Sequence, residues 1–205
     1  VSGGQAHWDE VYRSRSATAV SWYRPHLDVS LALLSHAGLD ASTRLVDVGG
    51  GASTLVDDLL DLGLTDITVL DLSQAALDAA RERLGARGKT VRWRAGNLLE
   101  ADFKPAAFDL WHDRAVLHFL TEPADAARYA AKAARAVRPG GHAVIGGFAP
   151  DGPERCSGLP VARRSASDVA VLLGDAFVLI EERREQHATP SGNTQAFAYA
   201  LLQRR

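Results

Sequence analysis

The chain of 205 residues contains no methionine and only one cysteine, Cys156. A lone cysteine cannot close an internal disulfide, so a disulfide-stapled secreted scaffold is excluded. Without methionine, the initiator is not among these residues. No apolar run approaches the length of a bilayer span. Residues 1–5 lack a charged region followed by an apolar stretch, so no signal peptide is expected and the cytoplasm is the expected location. A basic excess is also missing, because 23 Lys and Arg face 25 Asp and Glu, for a net charge of -2. Nucleic-acid binders draw much of their affinity from phosphate neutralisation, so no nucleic-acid partner is expected. The histidines show no metal-ligand spacing with one another or with Cys156, so no metal is expected.

What is present is a composition able to form a core, with 46% hydrophobic residues. The length fits one sizeable α/β domain over residues 1–205. Helical periodicity is expected over 6–14 and 27–36, with Gly38 as a stop. Strands are then expected at 44–48, 67–70, 91–94, 108–112 and 142–148. Helices at 54–62, from the cap Ser73 to 84, and at 122–137 separate them, and Arg138-Pro139-Gly140-Gly141 reads as a tight turn. Alternation of this kind predicts a doubly wound, mostly parallel α/β sheet with helices on both faces. A helix at 165–173 and two strands at 177–184 and 195–202 follow, expected as an antiparallel pair at one sheet edge. The chain thus divides into an N-terminal helical segment (1–40), a core (41–149) and a C-terminal part (150–205), with an inserted loop at 150–160.

Chemistry gathers at the first strand. Asp47-Val48 runs into Gly49-Gly50-Gly51, and Ala52-Ser53-Thr54 opens the next helix. Glycines allow tight turns and close approach of a ligand to the main chain. Asp71 ends the next strand, where nucleotide-binding sheets place an acid that accepts from ribose hydroxyls. A dinucleotide fingerprint needs a third glycine where Thr54 stands, which counts against a nicotinamide-dependent oxidoreductase. A Walker loop is excluded because no Gly-Lys-Ser/Thr follows.

The run Asp47-x-Gly49-x-Gly51-x-Ser53 resembles the first motif of the class I S-adenosylmethionine-dependent methyltransferases. Asp71-Leu72-Ser73 resembles their second motif, Gly96-Asn97-Leu98 the third, and the segment Phe108 to Arg114 the fourth. The resemblance implies a Rossmann-like, seven-stranded sheet and S-adenosylmethionine as cofactor, leaving S-adenosylhomocysteine. It implies cofactor contacts from Asp47, Gly49, Gly51, Ser53, Asp71, Leu72, Asn97, Leu98 and Asp113. Residues 111–114 are also similar to segments of thiopurine-type and some protein-lysine methyltransferases, although His112 intervenes and Ala115 stands in place of Gly.

Ligands of such sheets lie beyond the strand carboxyl ends, so His112, Asp113 and Arg114 are expected to face the transferred methyl group as catalytic candidates. Asp113 could accept a proton, and Arg114 could grip an anionic acceptor; a bracing ion pair is the competing structural reading. His118 reads as a core or surface histidine. Family members often fold an N-terminal segment over the cofactor, which makes Trp22 and Tyr23 candidates for a lid. Trp8 and Tyr12 read rather as packing residues. Trp22, Tyr23, Arg114, Cys156 and His187 are the expected acceptor contacts, with His187 in the loop between the last two strands. The expected acceptor is a small molecule. A protein lysine is the alternative, followed by an oxidoreductase or a non-catalytic cofactor-binding subunit.

Overall fold

The computed structural model describes residues 4–205. Residues 1–3, part of the stretch that bears on a signal peptide, lie outside the described residues. Two helices come first, α1 (Gly4–Ser14) and α2 (Asp28–His36), joined by an irregular strap. The core then alternates β1 (Arg44–Val48), α3 (Leu55–Asp61), β2 (Asp66–Asp71), α4 (Gln74–Leu84), β3 (Arg92–Ala95), β4 (Phe108–Arg114), α5 (Pro123–Ala136) and β5 (Val137–Phe148). A two-residue hairpin, β6 (Arg155–Cys156) and β7 (Leu159–Pro160), occupies the expected insertion. The chain closes with α6 (Ala166–Leu173), β8 (Phe177–Ala188) and β9 (Thr194–Arg204).

The main sheet has seven strands in the order β3-β2-β1-β4-β5-β9-β8. The first five are mutually parallel, and β9 joins β5 and β8 in antiparallel fashion. Strand order reverses between β1 and β4, which opens a crevice beyond their carboxyl ends. Buried side chains divide between the two faces of the sheet. Val46, Val48, Trp111 and Ile145 pack with α5 and α6, whereas Leu45, Ile67, Leu110 and Val144 pack with α2, α3 and α4. Pleating forces this alternation, and it decides where each residue of β4 points.

Local signals account for the element ends. The Ser73 hydroxyl accepts from Ala76 N at 3.2 Å to start α4, and Gly85 ends that helix at positive φ. Ser165 and Asp168 form a reciprocal capping box on α6. The turn expected at 138–141 is an excursion within β5, since Val137 pairs with Phe108 and His142 already pairs with Leu110. Strands β8 and β9 run further than expected, leaving a loop of 189–193. His187 therefore lies inside a strand, not in the hairpin loop.

Candidate active site

Two cavities open at the switch point. The larger, of about 690 Å³, is lined by Val48, Gly49, Asp71, Leu72, Gly96 and Leu98 on one side and by Trp8, Tyr12, Trp22, Arg114, Phe119 and Cys156 on the other. The smaller, of about 480 Å³, lies over Asp47, Gly50, Ser53, Thr54, Tyr23, Arg24 and His112. Tyr12, Trp22, Gly49 and Arg114 line both, so these four residues form the waist between them.

The glycine loop is demanded first by the protein itself. A Cβ on Gly49 would collide with the Val116 side chain, and φ there is +68°. A Cβ on Gly50 would collide with Asp47 Oδ2 and come within 2.8 Å of Val69 Cγ1. The loop is held by Gly49 N donating to Leu70 O at 2.6 Å and Ser53 N donating to Gly50 O at 2.7 Å. Arg83 on α4 donates to Ala52 O at 2.9 Å and to Ser53 O at 2.7 Å, clamping the far end. Beneath the loop, Asp47 is buried with Oδ1 2.7 Å from His112 Nδ1.

Asp71 closes β2 with its carboxyl in the wall of the larger cavity. It accepts from Ser73 N at 2.7 Å. Burial pushes its pKa up to about 7, against the lowering effect of that hydrogen bond, and the charges of Asp47 and Asp9 add to the rise. Across the cavity floor, a Cβ on Gly96 would meet no protein atom within 4 Å, so it would stand in the cavity space. Leu72 and Leu98 supply apolar flanks there. An acid, two apolar flanks and a side-chain-free floor fit an adenosine-bearing cofactor. Asn97 is committed otherwise: Oδ1 accepts from Leu99 N and Nδ2 donates to Glu100, both at 3.0 Å.

The roof is the N-terminal segment. The Asp9 carboxylate on α1 is buried; it accepts from Ser73 Oγ at 2.6 Å and from Ala75 N at 3.3 Å, which anchors α1 at the start of α4. Tyr12, Trp22, Trp8 and Phe119 then make a chain of edge-to-face aromatic contacts along the larger cavity. Trp8 and Tyr12, expected as packing residues, are thus cavity walls as well. The strap at 20–24 is fixed by three carbonyls: Ser21 O accepts from His187 Nε2 at 2.7 Å, Trp22 O from Arg114 Nη1 at 3.0 Å, and Arg24 O from Thr54 Oγ1 at 2.8 Å. Thr54, the residue that breaks the dinucleotide spacing, is one of these clips.

The residues at the end of β4 do not act as one group. Strand alternation sends His112 and Arg114 to the side of α2 and Asp113 to the side of α5. Asp113 is fully buried and lines neither cavity. Its carboxyl accepts from Val116 N at 2.8 Å, Leu117 N at 3.1 Å and Tyr129 OH at 2.7 Å. This corrects the expectation that Asp113 faces the transferred group or the cofactor: here it stabilises the turn after β4. Burial raises its pKa to about 6 even with those donors. His112 is buried between Asp47 and Ser30, with Nε2 2.9 Å from Ser30 Oγ, and lines only the smaller cavity. Both of its nitrogens are engaged, so it is not placed to take a proton from an acceptor.

Arg114 is placed at the waist. Its Nε donates to Tyr199 OH at 2.9 Å, and its guanidinium lies 4.5 Å from the Phe197 ring centroid. Its Nη2 has no hydrogen-bond partner and stands 3.8 Å from Glu185 Oε2. Cys156 lines the larger cavity with burial holding its thiol protonated, at a pKa of about 12. Tyr23 lines the smaller one. His187 lines neither and acts on the strap. His118 is buried beside Phe119 and Phe148, and burial drops its pKa to about 3. Sequence reading missed Asp9, Arg24, Glu185 and Tyr199. None of the four belongs to a local motif, and each takes its place only through contacts with segments distant in the chain.

Residues 46–145 match the family model described as a methyltransferase domain. A curated relative, the eEF1A lysine and N-terminal methyltransferase of Mus musculus, is 26% identical over 115 residues; the match covers 56% of this chain but 16% of that protein. Among solved structures, one concerned with conversion of a disulfide bond into a thioacetal group during echinomycin biosynthesis is similar at a TM-score of 0.78 and 21% identity, covering 98% of this chain and 91% of that one. The 1,6-didemethyltoxoflavin-N1-methyltransferase of Burkholderia thailandensis, solved with S-adenosylhomocysteine, has a TM-score of 0.70 and 22% identity, covering 98% of this chain and 84% of that one.

Proposed function

Since residues 46–145 match a methyltransferase domain, we propose that this chain is a class I S-adenosylmethionine-dependent methyltransferase that transfers a methyl group from that cofactor to a small-molecule acceptor. The observation that carries the proposal is the larger cavity, with a cofactor-shaped floor at Asp71, Gly96 and Leu98 under an aromatic roof of Trp8, Tyr12 and Trp22. Asp71 would hold the ribose, with Leu72 and Leu98 on either side of the base. Gly49, Asp47 and Ser53 would support the amino-acid end beside the waist. The cofactor supplies an already activated methyl group, so the residues of this chain mainly align reactants and exclude water. Anchoring of α1 by Asp9 and of the strap by Thr54, Arg114 and His187 favours that role, since both keep the roof over the reacting centre.

A protein lysine is the second reading, favoured by the similarity to lysine and N-terminal methyltransferases. The roofed, aromatic-lined cavity supports the first, because such a pocket suits a small molecule held on most sides. The three-part division at residues 40 and 149, and a cytoplasmic place of action, belong to the same proposal. No described helix is long and apolar enough to cross a membrane. Titration calorimetry with S-adenosylhomocysteine tests the cofactor assignment, and absence of heat would overturn it. Methyl-labelled cofactor incubated with cell extract tests the acceptor. Label in the low-molecular-weight fraction is expected, and label in protein alone would favour the lysine reading.

A further inference from the structure

The aromatic end of the larger cavity has its charges matched. Arg114 is the one cation lining it, and its enclosed Nη2 stands 3.8 Å from Glu185 on β8. Arg24 on the strap shares Glu185 at 3.5 Å and pairs with Asp28 on α2 at 2.9 Å. Two guanidiniums thus meet two carboxylates, and no charge is left over to hold an anion. Among the described residues, the only carboxylate lining this cavity is Asp71, at the cofactor end. An ammonium at the aromatic end would find no acid beside it either. A charged acceptor with hydrogen-bonding groups would therefore lose its hydration without gaining a partner.

Nor does this end offer a base. Asp113 points to the other face, and both nitrogens of His112 are taken by Asp47 and Ser30. The Tyr12 hydroxyl oxygen accepts from Trp22 Nε1 at 3.2 Å, and burial keeps that phenol protonated. The Cys156 thiol is protonated for the same reason. His118 and His187 line neither cavity. Asp71 accepts from Ser73 N and is taken up by the ribose in the proposed cofactor arrangement. The acceptor atom must arrive with its lone pair already free. What this end does offer is ring surface, from Trp8, Tyr12, Trp22 and Phe119 in edge-to-face contact. Such rings stabilise a positive charge without an acid.

Resting on the methyl-transfer proposal, we propose that the acceptor is a flat, uncharged small molecule whose nucleophile is a heteroaromatic ring nitrogen or a divalent sulfur, methylated to an onium cation among these rings. The lone pair of that nitrogen or sulfur forms the bond to the methyl carbon. The carbon–sulfonium bond breaks, and its electron pair stays on the cofactor sulfur. Positive charge passes from cofactor to acceptor, so the charge of the cavity is unchanged and no proton moves. The onium has no N–H at the methylated atom, so its burial leaves no hydrogen bond unmade there, unlike that of an ammonium. A lysine side chain is disfavoured, because its nitrogen has no free lone pair until a base removes a proton.

The test uses the full chain, with S-adenosylhomocysteine binding established first by calorimetry. Failure at that stage would remove the cofactor assignment, a result distinct from any difference between acceptor probes. Isoquinoline, in buffer that keeps it unprotonated, and thioanisole are neutral probes; benzylamine and benzoate are charged counterparts. Tryptophan fluorescence reports their entry. In the product complex, at least one neutral probe is expected to bind about tenfold or more tightly than either charged one. The reacting atom is a ring nitrogen if isoquinoline leads and a divalent sulfur if thioanisole leads. N-Methylisoquinolinium stands in for a methylated product. It should bind the S-adenosylhomocysteine complex, and about tenfold or more weakly the S-adenosylmethionine complex, where a second positive charge lies beside it. Trp22→Leu should lower the affinity of this cation by about threefold or more beyond its effect on isoquinoline. Benzylamine or benzoate binding as tightly as the neutral probes, equal binding of the cation to both complexes, or a Trp22→Leu effect no larger on the cation than on isoquinoline would each overturn the proposal.

Discussion

The two sides of the crevice are built differently. Beyond β1 and β2, the wall is made by consecutive residues: a glycine loop, then an acid at the next strand end. Beyond β4, the wall is assembled from the strap, the end of β4, the β6–β7 hairpin and α1, and β8 and β9 brace it from behind. The first kind of wall is written locally, since each residue's task is set by its own turn. The second exists only after distant segments meet. Motif residues of the first side, such as Gly49 and Asp71, line the crevice, whereas on the second side Asp113 lies away from it and serves the fold.

Four substitutions would break or sharpen this contrast. Gly50→Val should have the largest effect, because its Cβ would collide with the side chains of Asp47 and Val69, both buried. A stability loss of about 3 kcal/mol or more is expected, read by thermal unfolding, together with loss of S-adenosylhomocysteine binding. A stable variant that still binds would show that the loop can be rebuilt.

Asp113→Asn comes next. It disturbs acceptance of two N–H groups and one hydroxyl in a fully buried place. A destabilisation of about 2–3 kcal/mol is expected. Product affinity of the folded fraction should stay at the wild-type value. A large fall in affinity with little loss of stability would return Asp113 to the ligand side of the comparison.

Asp71→Ala should weaken the product by about 1–3 kcal/mol. The ionised carboxylate is the form that accepts from ribose hydroxyls, and its pKa is pushed up to about 7. Affinity should therefore rise from pH 6 to pH 8, and Asp71→Asn should flatten that dependence in calorimetry. Stability runs the other way. A folded pKa above the unfolded value of 3.8 means that the folded state binds this proton more firmly, so this group's contribution falls as pH rises from about 4 to 7. A flat affinity profile in the unaltered protein would detach Asp71 from the ribose.

The smallest effect is expected at Ala115, which lines the larger cavity at φ 74°, a conformation costly for a residue with a Cβ. Ala115→Gly should raise stability by about 0.5–1 kcal/mol, seen as a small increase in melting temperature. A decrease would mean that the methyl group's packing outweighs its strain.

Much of the fold was legible, because β-α alternation and helix caps such as Ser73 and Ser165 act over a few residues. Asp71 and the glycine loop were legible for the same reason. The position of His112, Asp113 and Arg114 at a strand end was also readable. Their faces come from simple alternation with Trp111, a pattern the motif comparison passed over. Glu185 and Tyr199 were not readable, since nothing near them in the chain announces that Arg114 will lie between β9 and the strap. His187 was misplaced because β8 continues through it, its ring buried against Phe197.

The three clipped carbonyls of the strap have a kinetic meaning. Ser21, Trp22 and Arg24 are tied to an edge strand, a core strand and a helix start, so none can be released without straining the other two. Such a strap opens as a unit or hardly at all. Entry and exit of whatever lies under Trp22 should then share one opening rate, whatever the ligand's affinity. Thr54→Val, which removes one clip far from the acceptor end, should quicken the departure of cofactor product and acceptor product by the same factor.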